Sequence, residues 1–146
     1  MYKITIVKRL FLLCLLVLAL QEHVGAQIVI GTPNLGFSQA CASESFNTYS
    51  TTFVFSPESQ LNATNQFTIE LSDADGVFSD PTVVFTSAAG SITTSPAMLG
   101  FSLPETTAGE NYKIRIKSSS PVATSSGSEN FAAYYKLQDS PFTINN

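Results

Sequence analysis

Apolar and polar residues alternate in short runs along most of the chain. Tyr49, Phe53 and Phe55 share one parity, with Thr52 and Val54 on the other. Phe67, Ile69 and Leu71 alternate with Thr68, Glu70 and Ser72. Leu99, Phe101 and Leu103 alternate up to Pro104, and Tyr112, Ile114 and Ile116 alternate with Lys113, Arg115 and Lys117. Phe131, Ala133 and Tyr135 form one more set. A period of two is the strand period, because successive side chains leave a strand on opposite faces. The run 67–72 therefore predicts a strand with one dry face and one wet face, as in a sheet covered on one side. Val83-Val84-Phe85, the stretch 92–94, and Phe142 with Ile144 predict further short strands. Ser56-Pro57-Glu58-Ser59, Asp73-Ala74-Asp75-Gly76 and the stretch 107–111 carry turn residues, and the serine-rich stretch 118–128 predicts a flexible loop.

Beyond the N-terminus no segment holds a 3.6-residue apolar period for three turns. The pattern predicts an all-β fold, a β-sandwich of about seven or eight short antiparallel strands. Its expected core is largely aromatic: Phe53, Phe55, Phe67, Phe85, Phe101, Tyr112, Phe131 and Phe142. Residues 27–45 are broken by Gly31, Pro33, Asn34 and Gly36 and predict a lead-in, in which Ile28-Val29-Ile30 could pair as an edge strand. The expected domain is 46–146.

The N-terminus has a different layout. Lys3, Lys8 and Arg9 precede eleven uninterrupted apolar residues, 10–20, and Val24-Gly25-Ala26 supplies small residues beyond them. This is the arrangement of a secretory signal peptide, 1–26, removed after Ala26. The apolar run is about half the roughly 20 residues that a spanning helix needs. The expected product is exported, to the cell surface or medium, or to the periplasm if the chain is truncated.

From Gln27 on, 120 residues remain, with four basic against ten acidic side chains and a net charge of −6. No basic surplus is present to neutralise phosphates, which argues against nucleic acid as a partner. The sole histidine, His23, leaves with the signal peptide, and tryptophan is absent. Without the commonest acid–base residue, and with no nucleophile motif or glycine-rich phosphate loop, an enzyme is not expected. No cofactor is expected either. Cys41 is the one cysteine left. It suggests either a buried thiol or a disulfide to a partner outside this chain.

Three constellations stand out. Asp73, Asp75 and Asp80 are clustered acids of the kind that bind calcium. Their spacing misses the EF-hand pattern, in which glycine is sixth, and the plainer reading is a hairpin turn with solvated acids. Lys113, Arg115 and Lys117 place three of the four basic residues on one strand face. That stripe reads as a docking patch for an acidic polysaccharide or another anionic partner, or as cover for an exposed face paired with acids such as Glu70. Asn62-Ala63-Thr64 fits a glycosylation acceptor. Outward-facing Tyr49, Tyr134 or Tyr135 would suit a carbohydrate-binding module.

The stretch NQFTIELSDADGVFSDP (65–81), followed by TTAGENYKIRIKSSSPVATSSGS (106–128), resembles an Ig-like module of Bacteroidetes surface proteins, many of them exported by type IX secretion. The stretch 37–59 and the ending YYKLQDSPFTINN are similar to the first module of flavobacterial gliding-motility-associated surface proteins and adhesins. The resemblance covers most of 37–146 and rests on strand and turn signatures. It implies an extracellular Ig-like module at the head of a longer chain, serving adhesion or gliding motility; the apolar alternating runs themselves predict that the module folds as a monomer. Its implied partners are other modules of the same protein or cell-surface glycans.

Overall fold

The computed structural model describes residues 27–135. The signal segment 1–26 and the strand expected at Phe142 and Ile144 lie outside them. The described residues form eleven short strands, one 3-10 turn (Glu58–Gln60) and no α-helix. The strands are β1 (Val29–Ile30), β2 (Gln39–Cys41), β3 (Tyr49–Phe53), β4 (Phe55–Ser56), β5 (Phe67–Leu71), β6 (Thr82–Thr86), β7 (Ala97–Phe101), β8 (Gly109–Tyr112), β9 (Ile114–Ser119), β10 (Val122–Thr124) and β11 (Phe131–Tyr134).

β3 pairs antiparallel with β7, Tyr49 opposite Phe101 and Phe53 opposite Ala97. β4 pairs antiparallel with β1. Between them, Gly31 donates its N–H to the Val54 carbonyl (2.8 Å), and Asn34 bridges to Thr52. The alternating run 49–56 thus serves β7 along its first part and β1 along its second. A four-stranded antiparallel sheet has the order β10-β9-β5-β6, and a three-stranded one the order β2-β11-β8. These two are joined through a long bulged hairpin. The β9–β10 ladder continues through Ser125 N–H to Ile116 C=O (2.9 Å) and Ser128 N–H to Ile114 C=O (2.8 Å). It then reaches the β8–β11 ladder, where Phe131 faces Tyr112.

Several expectations change. β2 and β11 run parallel, not antiparallel. A parallel pair needs a long crossover, and here nearly the whole described chain lies between the two strands. The stretch 107–111 is not a turn. Thr107 closes an earlier one by donating its N–H and Oγ1–H to the Pro104 carbonyl (2.9 and 2.6 Å), and β8 begins at Gly109. No strand forms at 92–94, although Ile92 packs against the core. The residues 27–45 contribute Ile28, Ile30, Leu35, Ala40 and Ala42 to that core.

Phe67, Ile69, Ile114 and Ile116 are fully buried. The Phe67 ring lies 5.1 Å from both the Phe53 and the Phe55 ring. β5 does not pair with β3 or β4, so these contacts join elements of different sheets. Phe85 and Tyr112, expected in the core, are only partly buried against it. Glu70, expected on a wet face, is 6% exposed.

The stretch 118–128 is not a loop but the end of β9, all of β10, and a serine ladder. Ser125 and Ser128 each donate their N–H to one carbonyl of β9 and accept the N–H of the same residue on Oγ, from Ile116 (2.9 Å) and Ile114 (3.0 Å). Ser87 treats Phe67 the same way, and Ser72 treats Lys113. Each hydroxyl then donates to the next carbonyl of its own chain, at Asp73, Ala88, Ser126 or Glu129. The hydroxyl stands in for a missing carbonyl where a ladder is irregular, so that the N–H groups of Phe67, Lys113, Ile114 and Ile116 are each paired. Replacing Ser87, Ser125 or Ser128 by alanine strands one buried N–H. Each is expected to cost about 1–3 kcal/mol, whereas alanine at exposed Ser50 should stay within about 0.5 kcal/mol. Urea denaturation of the four variants checks this.

Candidate interaction face

The strongest polar constellation lies on the outward face of the β10-β9-β5-β6 sheet. Because Phe67, Ile69 and Leu71 point into the core, Thr68 and Glu70 must point out. The register sets Glu70 opposite Arg115 and Thr68 opposite Lys117. Arg115 Nε donates to Glu70 Oε2 (2.7 Å) and Lys117 Nζ to Oε1 (3.1 Å). One nearly buried carboxylate therefore holds two cations, which accounts for a glutamate on a face otherwise read as wet. The Arg115 guanidinium also lies over the Phe78 ring, Cζ 4.6 Å from its centroid, in cation–π range.

Beside this triad is an open groove of about 450 Å³, lined by Thr68, Glu70, Val83, Lys117, Ser118, Ser119 and Val122. Val83 and Val122 are 57% and 71% exposed, and they stand on the two outer strands, β6 and β10.

The three basic residues predicted as one stripe are not used alike. Arg115 and Lys117 join the triad. Lys113 lies apart, its stem against Gly76 and Gly127, where an added Cβ would come within 3.2–3.3 Å of its Cε or Cδ. The predicted acid cluster is a turn. Asp73 Oδ1 accepts the N–H of Asp75 (3.1 Å) and of Val77 (2.7 Å). Among the described residues no group of three or more His, Cys, Asp or Glu is placed to hold a metal ion, so Asp73, Asp75 and Asp80 are not brought together as ligands.

Cys41 is a free, half-buried thiol. Its peptide groups are held by the Tyr49 phenol, which accepts the Cys41 N–H and donates to its carbonyl (2.9 Å). Tyr49 is thus turned inward, its ring against Phe37 and Phe101, and is not an outward platform for a sugar. Tyr134 and Tyr135 are exposed. The Tyr134 hydroxyl donates to Glu110 Oε1 (2.8 Å), which holds this phenol above its usual pKa. Since the bonds at Cys41 are made by its backbone, Cys41→Ser should leave the melting temperature almost unchanged, as calorimetry would show. In the acceptor sequence, the Asn62 amide donates to Ser120 Oγ (2.6 Å).

Sequence reasoning named Arg115, Lys117 and the Glu70 pairing, but not Val83, Val122 or Phe78. Glu70 was legible because it alternates with the apolar run. The flanking valines depend on sheet order, which no local pattern encodes.

Among the described residues no helix is long and apolar enough to cross a membrane. No protein-family model matches the chain, and no curated protein matches it.

Proposed function

We propose that this chain is a non-catalytic interaction module of an exported protein, built as an Ig-like β-sandwich that binds through the β10-β9-β5-β6 face. The observation that carries the functional reading is the concentration of charge. The three basic residues between Gln27 and Tyr135 all fall within 113–117, in a chain that is otherwise strongly acidic. One of them, Lys117, lines an open groove, and Arg115 shares its Glu70 partner.

Three features support the Ig-like architecture. The described strands make four small sheets, β1-β4, β3-β7, β10-β9-β5-β6 and β2-β11-β8, and the reading groups the first two as one layer and the last two as the other. The Phe53, Phe55 and Phe67 rings meet between these layers. Tyr112 donates its hydroxyl to the Ala108 carbonyl at the long distance of 3.5 Å, in the manner of the tyrosine corner of Ig domains. Two residues further on, where antibody domains carry the second inter-sheet cysteine, fully buried Ile114 stands instead. Apolar packing thus takes the place of a disulfide.

The reading places the module on cell surfaces, in adhesion or gliding motility. Source cells lacking residues 27–146 of this protein should attach to or spread over surfaces less than the parent while growing equally well. Unchanged attachment and spreading would contradict the reading.

A further inference from the structure

We infer that the outer edge of β7 pairs with the same edge of a second copy of this chain, antiparallel and about a two-fold axis, so that two folded modules share one extended sheet.

The register shows which backbone groups point to that edge. Thr52 exchanges both of its backbone hydrogen bonds with Asn34 (2.8 and 3.0 Å), on the side of β3 away from β7. Its pairing with Met98 is therefore of the wide, non-hydrogen-bonded kind, and so is that of Ser50 with Gly100, two residues along. The N–H and C=O groups of Met98 and Gly100 then point away from β3. β7 ends its sheet, and among the described residues no other segment bonds to these four groups. Met98 is 68% exposed and Gly100 is exposed beside it.

The other outer strands are guarded against edge pairing. β6 and β8 break register with their neighbours, and β8 carries Glu110. β1 and β10 lie beside each other. On β2 the Cys41 N–H is taken by the Tyr49 phenol. β7 pairs with β3 through five residues without a shift, and neither strand carries a charge. Residues 81–104 carry none at all.

Open ladder groups select a strand, and charge and side chains select this one. Two copies of a chain with a net charge of −6 repel each other over most of their surfaces, and least where neither carries charge. In the two-fold pairing, Met98 exchanges both bonds with Gly100 of the second copy, and Leu99 faces its own counterpart. Met98 and Gly100 share the outward face. A Cβ placed on Gly100 would meet only the Tyr49 carbonyl oxygen, at 3.7 Å, so a side chain from a neighbouring strand has room there. Each exposed methionine then lies beside the glycine of the other copy. One strand supplies both the knob and the gap, which is what a contact between identical surfaces requires. Folding does not need the second copy, because the Phe53, Phe55 and Phe67 rings already meet within one chain.

Sedimentation equilibrium of the protein over a wide concentration range tests this, and reversible dimerisation is expected. Met98→Lys, a change at an exposed position, should weaken it about tenfold or more without lowering the melting temperature. The two Met98 side chains are diagonal neighbours across the axis, within reach of each other when long. A mixture of Met98→Lys and Met98→Glu chains should therefore associate more tightly than either variant alone. The inference is overturned if the protein stays monomeric at millimolar concentration, if Met98→Lys dimerises as the parent does, or if the mixture gains nothing. It is also overturned if the Met98 and Gly100 amides are protected from hydrogen exchange in the monomer, because a segment of the same chain, such as 136–146, would then fill the edge.

Discussion

Phe67→Ala should destabilise the protein by about 3–5 kcal/mol, the range for removing a large aromatic side chain from a packed core. Phe67 is fully buried, and its ring is the meeting point of Phe53 and Phe55 from elements outside its own sheet. Truncation removes buried area and also leaves a void that neither phenylalanine can fill without leaving its own packing. Marginal stability of about 5–15 kcal/mol is usual for a domain, so the variant should sit close to unfolding at room temperature. Phe67→Leu keeps most of the volume and should cost clearly less. Chemical denaturation of both variants against the parent measures the difference.

Asn65→Ala should be the next most damaging change, at about 2–4 kcal/mol, because it strands several donors at once. Asn65 is buried, and its Oδ1 accepts Ser118 Oγ–H (2.7 Å), Ser119 N–H (3.1 Å) and Ser120 N–H (2.8 Å). That single oxygen ties the start of β5 to the end of β9, where the hairpin turns back beside the groove. The Nδ2 of the same side chain is buried without a hydrogen-bond partner. The amide therefore serves here as an acceptor, and Asn65→Asp, which keeps the acceptor, should cost less than Asn65→Ala at neutral pH. Three donors around one oxygen favour the ionised carboxylate. If Asp were as damaging as Ala, the acceptor role would be wrong.

What the sequence disclosed depended on whether a feature was local. The alternation of Phe67, Ile69 and Leu71 with Thr68 and Glu70 names a strand and both of its faces, because side-chain direction follows from the strand period alone. The same holds for Leu99 and Phe101 on β7. The division of 49–56 between two partners was hidden, because Val54 preserves the parity on both sides of the break. The serine-rich stretch was misjudged for a related reason. Composition reads Ser125 and Ser128 as loop residues, whereas their hydroxyls complete a ladder whose other side, Ile116 and Ile114, is 9 and 14 residues upstream. The parallel β2–β11 pair joins residues more than ninety positions apart, and no local signal reports it. At the candidate face, the basic alternation of 113–117 and the acid at 70 were legible. The groove was not, since it exists only once β6 and β10 flank β5 and β9.

One packing arrangement is central: the Phe67 ring meets Phe53 and Phe55 of other sheets, while Glu70, Arg115 and Lys117 share the opposite face. Nuclear Overhauser contacts of the Phe67 ring test this most directly. Contacts are expected from Phe67 to the rings of both Phe53 and Phe55, with the Thr68 and Lys117 side chains in contact with each other and remote from all three. Contacts of Phe67 confined to β6 and β9, with none to Phe53 or Phe55, would contradict it.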